Sequence, residues 1–494
     1  MSKKIILAID QGTTGTTALI LDQALQVLGK DNVEFAQVFP KPGWVEHRAQ
    51  DIWQSIHQAV DNCLNKASVK ASEISAIGIT NQRETTCLFR RDGSPLHNFI
   101  VWQCRRTAEI CEDLKSRGLE ETIKHQTGLV LDPYFSATKL MWLFEHAKDA
   151  KKMAEQGDAL FGTVNTWLLY QLTGQMVHAT DATNASRTLM MDLSTCQWDD
   201  KLLSFFGVPK NCLPAIYGNS HIYGHTKGLS FLPDGIPIAG MAGDQQAALF
   251  GQTCFEAGEA KATYGTGCFI LLNTGKKIIR SQNGLLTSVA IKLGEEVQYC
   301  LEGSAFIAGA AVQWLKDGLG MIKKSSEIEA LAAQVSDSGD VAFVPALSGL
   351  GAPYWQPHAK GLLCGISRDT TKAHIARAVL EGIALQNRDM MEVMQQEGGA
   401  VRHIKVDGGA CANNLLMQFQ ADVLQIPCMR PHILETTALG AAALAGLSVG
   451  IFSNKAAFRD LAIAKTVFSP TMAQEVLQKH LNKWRKAIAR VQVN

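Results

Sequence analysis

A strand that runs into a glycine-threonine turn, met once near the start of the chain and again past its middle, restricts the fold more than any other feature. Ile5 to Ile9 form an unbroken apolar run that stops at Asp10-Gln11-Gly12-Thr13-Thr14, as expected of a strand buried on both faces and followed by a tight turn. Ala260-Lys261-Ala262-Thr263-Tyr264 runs into Gly265-Thr266-Gly267 in the same manner. The 494 residues exceed what one hydrophobic core usually organises. Two rounds of one pattern in such a chain predict a duplicated α/β fold, with domains at 1–247 and 248–494, mixed sheets, and a ligand cleft between them.

Around the first turn the periodicity predicts strands over 17–21 and 33–38, a helix over 51–64 and a strand over 74–80. After the second it predicts a strand over 268–272 and helices over 305–315 and 373–394. The near-apolar run 438–452 is rich in small residues and shorter than the roughly 18–20 residues that span a bilayer. It is expected to be a buried helix, with no membrane insertion. The apolar stretch after Lys3-Lys4 ends at Asp10, too early for a secretory leader.

Charge excludes some partners. With 47 basic against 46 acidic residues, nothing attracts the chain in bulk to nucleic acid or an anionic membrane. The 12 cysteines are scattered from Cys63 to Cys428 without a C-x-x-C pair, which fits reduced thiols in the cytoplasm.

Asp10-Gln11-Gly12-Thr13-Thr14 holds the ingredients of a phosphate site: an acid at a strand end for hydrated Mg2+, a glycine for close backbone approach, and threonine hydroxyls as donors. Alone it is equally a hairpin turn with a solvated aspartate. Tyr264-Gly265-Thr266-Gly267 and Val406-Asp407-Gly408-Gly409-Ala410 are likewise common turns taken singly, but three in one chain favour a nucleotide. No G-x-x-x-x-G-K-[ST] occurs, and Gly265-Thr266-Gly267 lacks the third glycine of the dinucleotide fingerprint. No His/Cys spacing suits zinc.

Two long stretches carry a family resemblance. These are Tyr134-Phe135-Ser136-Ala137-Thr138-Lys139-Leu140-Met141-Trp142-Leu143-Phe144-Glu145-His146, and Gly361-Leu362-Leu363-Cys364-Gly365-Ile366 followed by His374-Ile375 and Ala378-Val379-Leu380-Glu381. In both the chain resembles the FGGY carbohydrate kinases, of the actin, hexokinase and Hsp70-like ATPase group. The resemblance implies two ribonuclease H-like domains around an interdomain cleft. Asn81-Gln82-Arg83-Glu84-Thr85-Thr86, Val101 to Thr107, Asp132-Pro133-Tyr134, Gly243-Asp244-Gln245-Gln246 and Gly265 to Phe269 are similar to the polyol-site motifs of members acting on glycerol. The implied reaction is transfer from ATP to give sn-glycerol 3-phosphate, the first committed step of glycerol catabolism. A homodimer or homotetramer is implied with it. Another small polyol as substrate, or a nucleotide-binding sensor without strong catalysis, are the alternatives.

The resemblance assigns roles residue by residue. Arg83, Glu84, Tyr134, Asp244 and Gln245 would hold the hydroxyls, with Trp102 and Phe269 flanking the carbons. Asp244 would be the general base, and Asp10 with Asp244 would place Mg2+. Thr13, Thr14, Thr266 and Gly267 would meet the ATP phosphates, and Gly309, Gln313, Gly409 and Asn413 the ribose and adenine. Two departures stand out. Gly15-Thr16-Thr17 replaces the family's Ser-Ser-Arg, so weaker phosphate stabilisation is expected. The 226–236 stretch lacks a Gly-Gly-Lys-Gly-Gly run followed by arginine, so control by fructose 1,6-bisphosphate is not expected.

Overall fold

Alternate residues of the first strand face two different cores, which is why its sequence is apolar without a break. In β1 (Ile5–Gln11) the side chains of Ile5, Leu7 and Ile9 pack with Ile52, Ile56 and Val60 of α1 (Ala49–Ala67). Ile6 and Ala8 pack on the other face among Ala441, Ala442, Leu444 and Ala445. The computed structural model describes residues 4–356, 358–462 and 464–492.

Around β1 lie β2 (Gly15–Asp22), β3 (Val27–Glu34), β4 (Ile74–Asn81), β5 (Ser220–His225) and β6 (Pro237–Gly243), which leads into α2 (Asp244–Gly251). Their sheet order is β5-β6-β4-β1-β2-β3. A second sheet holds β7 (Ala260–Tyr264), β8 (Cys268–Gly275), β9 (Leu286–Leu293), β10 (Glu296–Ala305), β11 (Ile404–Asp407), β12 (Cys428–Pro431) and β13 (Ala464–Phe468), in the order β9-β10-β8-β7-β11-β12-β13. The duplication is explicit in the directions. β1 is antiparallel to β2 and parallel to β4, as β7 is antiparallel to β8 and parallel to β11. The order β3-β2-β1-β4-β6 matches β10-β8-β7-β11-β12. This is the mixed-sheet, two-domain α/β architecture anticipated above.

Two element boundaries differ from the periodicity. The third strand is Val27–Glu34, not 33–38, and Val38 only bridges to Glu46. Its Lys30-Asp31-Asn32 segment is polar because β3 is an edge strand, where charge blocks further pairing and hides the alternation. The helix expected over 305–315 is α3 (Gly309–Asp317), since Ala305 still belongs to β10. The small, apolar residues between them give no period to read.

Two long helices complete the second domain, α4 (Lys372–Gly398) and, after α5 (Thr436–Ser448), α6 (Gln474–Gln492). The run read as a buried helix is α5, and it covers the face of the first sheet at β1, β4 and β6. A Cβ on Gly78 of β4 would lie 2.2 Å from Ala441 O, so only glycine permits this approach. Among the described residues no helix is long and apolar enough to cross a membrane. No disulfide joins the 12 cysteines, of which only Cys364 is partly exposed.

α6 is anchored on Glu381 of α4. The carboxylate accepts from Ser338 Oγ at 2.6 Å and lies 3.5 Å from both His480 Nδ1 and Lys483 Nζ. Burial alone would raise the Glu381 carboxyl, but His480, Lys483 and Ser338 hold it at about 2. A depressed acid stabilises the fold above its unfolded value, and that contribution is lost as pH falls from about 4.5 toward 2. Glu381→Gln is therefore expected to cost on the order of 2 kcal/mol near neutrality and to flatten the stability profile in that acid window. Denaturant midpoints between pH 7 and pH 3, with about 4.5 units as the expected onset, check this.

Candidate active site

The turns that end β1 and β7 are linked through Trp102, whose indole N–H donates to Thr13 and whose ring lies beside that of Phe269. On the second-domain side the turn supports α3: Ala308 N donates to Thr266 O at 2.8 Å and Gly309 N to Gly265 O at 3.0 Å. Beside it opens a cavity of about 440 Å³ lined by Thr266, Gly309, Gln313, Gly409 and Asn413, with Ile328, Leu380 and Leu416 as apolar wall. Five of the six second-domain residues assigned to the nucleotide thus share one chamber. Gly267, the sixth, is tucked under Ala305 and is not on the lining. Asn413 also caps a helix, its Oδ1 accepting from Leu416 N at 2.8 Å.

Thr13 and Thr14 lie on the opposing turn, Thr14 exposed and Thr13 Oγ1 accepting from Trp102 Nε1 at 2.9 Å. That bond links the first turn to a group of aromatic rings. There Trp102 stands 5.5 Å from the Tyr134 ring and 6.3 Å from the Phe269 ring, between centroids. Arg83, Glu84 and Asp244 meet the same space. Asp244, the first residue of α2, has Oδ1 3.1 Å from Arg83 Nε and accepts from Gln245 N at 2.7 Å. Gln245 Oε1 accepts in turn from Lys261 Nζ, a buried ammonium.

Three residues missed by sequence reasoning hold this group from behind. Glu302 on β10 accepts from Arg83 Nη1 at 2.6 Å and Nη2 at 2.8 Å, and Gln246 Oε1 accepts from Nη1 at 3.2 Å. Arg187 Nε donates to Glu84 Oε1 at 2.6 Å and its Nη2 to Glu302 Oε1 at 3.2 Å. Burial would raise the Glu302 carboxyl, but Arg187 and Arg83 hold it at about 2. Lys139 donates to the carbonyl oxygens of Pro133, Tyr134 and Phe135 at 2.6, 2.6 and 3.0 Å, fixing the Tyr134 backbone. Burial lowers that ammonium to about 8. The available signal was a lone charge in an otherwise buried run, Glu302 between Leu301 and Gly303, or Arg187 within 182–191.

The open hydrogen-bonding positions can be counted. Of a guanidinium's five N–H groups, Arg83 commits both on Nη1 and one on Nη2, and turns Nε to Asp244. One Nη2 hydrogen remains. Among the described residues none donates to Glu84 Oε2 or Asp244 Oδ2, or bonds the Tyr134 hydroxyl. Two acceptors, one donor and one hydroxyl are therefore left open on Glu84, Asp244, Arg83 and Tyr134.

Asp10 lies at the end of β1, just before the first turn. Its carboxyl is pushed up to about 7 by burial first, then by Asp244 and Glu435. Glu435 is itself paired with Lys30 Nζ. Across the sheet Asp10 pairs with Thr17, and Thr17 with Asn32, whose Nδ2 donates to Thr17 Oγ1 at 2.9 Å.

A duplicated ribonuclease H-like fold with a glycine-threonine turn after the first strand of each sheet defines a class, and sequence models identify it. The N-terminal domain of the FGGY family of carbohydrate kinases matches residues 5–251, and the C-terminal domain of the same family matches residues 260–449. The chain belongs to this family. Within it, the chain is 57% identical over 491 residues to a glycerol kinase of Myxococcus xanthus, covering 99% of each, and 53% identical over 489 residues to one of Bdellovibrio bacteriovorus, covering 98% of this chain and 99% of that one. Among solved structures, the glycerol kinase of Plasmodium falciparum with ADP superposes with a TM-score of 0.91 at 36% identity, covering 100% of this chain and 99% of that one.

Proposed function

We propose that this enzyme transfers the γ-phosphoryl group of ATP to a terminal hydroxyl of glycerol, giving sn-glycerol 3-phosphate and ADP. The observation that carries the reading is the set of open positions on Arg83, Glu84, Tyr134 and Asp244 beside Trp102 and Phe269. A triol presents three groups that both donate and accept, on a carbon edge that packs against aromatic rings. The full-length likeness to glycerol kinases supports the same substrate.

ATP would lie in the cavity of Thr266, Gly309, Gln313, Gly409 and Asn413, its phosphates directed between the two turns toward Thr13, Thr14 and Gly267. Thr266 borders that cavity and Phe269, three residues on, borders the polyol space, so the reacting groups would meet over the turn. Asp244 Oδ2 takes the proton of the attacking hydroxyl while its oxygen bonds to the γ-phosphorus and the bond to the β-γ bridging oxygen breaks. ADP leaves with that electron pair. Holding these groups in line in a closed cleft is most of the catalysis phosphoryl transfer requires.

Asp10 and Asp244 would hold Mg2+. Burial pushes the Asp10 carboxyl up first, and the neighbouring Asp244 and Glu435 add to it; a hard divalent cation would relieve that added negative charge. Mg2+ takes one or two carboxylates and completes its shell with water and phosphate, and Asp10 with Asp244 would supply the carboxylates. When bound, Mg2+ supplies charge neutralisation on the β- and γ-phosphates. We place the enzyme in the cytoplasm as a homodimer or homotetramer, with the domain division at 247/248 as read from the sequence.

The reading is tested by ADP release with and without glycerol. Propane-1,2-diol is the informative comparator, because losing one hydroxyl leaves a buried partner unpaired, and its kcat/KM is expected to fall by about 10²-fold or more. Equal efficiency on both substrates would remove the proposed polyol site.

Thr17 offers a second test. An arginine there would stand on the Asp10 face of the sheet, where a charge-assisted bond to phosphate oxygens is worth about 1.5–3 kcal/mol. Thr17→Arg is expected to raise kcat/KM for ATP by roughly 10- to 100-fold at saturating glycerol. An unchanged value would mean that Lys30 or the turn N–H groups already balance the triphosphate.

A further inference from the structure

Arg187 and Glu302 have side chains with 0% exposure and neither faces the cleft, yet both charges are spent on the two residues that do. With Glu84, Arg83 and Asp244 they form a chain of alternating sign: Glu84–Arg187–Glu302–Arg83–Asp244, at 2.6, 3.2, 2.6 and 3.1 Å. Arg187 follows the short helix Ala182–Ala185, whereas Glu302 comes from β10 of the second sheet. Ser288 Oγ accepts from Arg187 Nη1 at 2.9 Å.

Stability alone does not explain such a chain, since a buried ion pair rarely outperforms a well-packed apolar pair of the same volume. What the chain does is consume hydrogen-bonding capacity. Arg187 occupies Glu84 Oε1 and leaves Oε2, and Glu302 occupies both terminal nitrogens of Arg83 and leaves one hydrogen. A site selects for a hydroxyl when its own open groups are few and fixed, because a substrate lacking that hydroxyl then strands them. Loosely held Arg83 and Glu84 would instead turn toward water or toward each other, 3.9 Å apart.

We propose that Arg187 and Glu302 are positioning residues that set polyol specificity, holding Glu84 and Arg83 so that each presents one open hydrogen-bonding position to the substrate. The proposal rests on the glycerol reading above. That reading stands or falls on the unmutated enzyme, whereas this one concerns only how its variants choose between substrates.

The experiment measures kcat and KM for glycerol, propane-1,2-diol and ATP in the full-length enzyme and in Glu302→Gln and Arg187→Met. The expected result is a rise of about tenfold or more in KM for glycerol, a fall of about tenfold or more in the glycerol-to-propanediol preference, and a KM for ATP changed less than about threefold. A mere structural brace would lower the melting temperature while leaving both the KM for glycerol and the preference at their original values, and that pattern overturns the proposal. If either variant fails to fold, Glu302→Asp and Arg187→Lys keep the charge and shift it by one or two atoms. Partial loss of preference is expected from both, and an undiminished preference overturns the proposal equally.

Discussion

Asp244→Asn is expected to lower kcat by roughly 10²-fold or more while moving the KM for glycerol far less. The asymmetry follows from which oxygen does what. Oδ1 lies 3.1 Å from Arg83 Nε and accepts from Gln245 N at 2.7 Å, and the carbonyl oxygen of an asparagine serves both. The amide then falls at Oδ2, where the side chain, 30% exposed, opens onto the cleft. It still meets a glycerol hydroxyl but accepts no proton. A loss of that size corresponds to about 2.7 kcal/mol of transition-state stabilisation. Steady-state kinetics at saturating ATP decide the matter, and near-normal kcat would strip Asp244 of the role of base.

A single methyl at Gly440 is expected to do comparable damage far from any substrate. α2 and α5 cross backbone to backbone: a Cβ on Gly440 would lie 1.9 Å from Ala247 O, and one on Gly251 2.0 Å from Thr436 O. The obstructing atoms belong to the main chain, so no rotamer change relieves the overlap and the helices must separate. Overpacking that moves backbone costs about 3 kcal/mol or more. Because α2 begins at Asp244, separation also displaces the carboxylate, and misplacement of about 1 Å is enough to cost 10²-fold in rate. Gly440→Ala should lower both the denaturant midpoint and the kcat of whatever fraction folds. Original values for both would show that the crossing does not position Asp244.

Those two residues also show how far the sequence could be read. Asp244 was visible because Gly243-Asp244-Gln245-Gln246 lies in one continuous motif, as do the turns after β1 and β7. Of the six second-domain residues that the family resemblance assigns to ATP, five line one cavity. β3 was misplaced because an edge strand carries Lys30, Asp31 and Asn32 where periodicity looks for apolar residues. Arg187 and Glu302 were missed because their meaning is relational: each is a buried charge 115 residues from the other, and only the packed sheets bring them together. Lys139 stood inside a recognised stretch, but its partners are carbonyl oxygens, which no residue type announces.

The placement of α5 has a consequence for how the protein comes to exist in a cell. Ile6, Ala8, Leu19 and Leu21 bury their side chains against Leu439, Ala441, Ala442 and Leu444, which are made long after them. The usual order, in which an N-terminal domain folds as a unit while the rest is still being translated, is therefore closed to this chain. Its first sheet waits with one apolar face uncovered until α5 has been made. Premature termination anywhere before α5 would yield a sticky fragment rather than a smaller working domain.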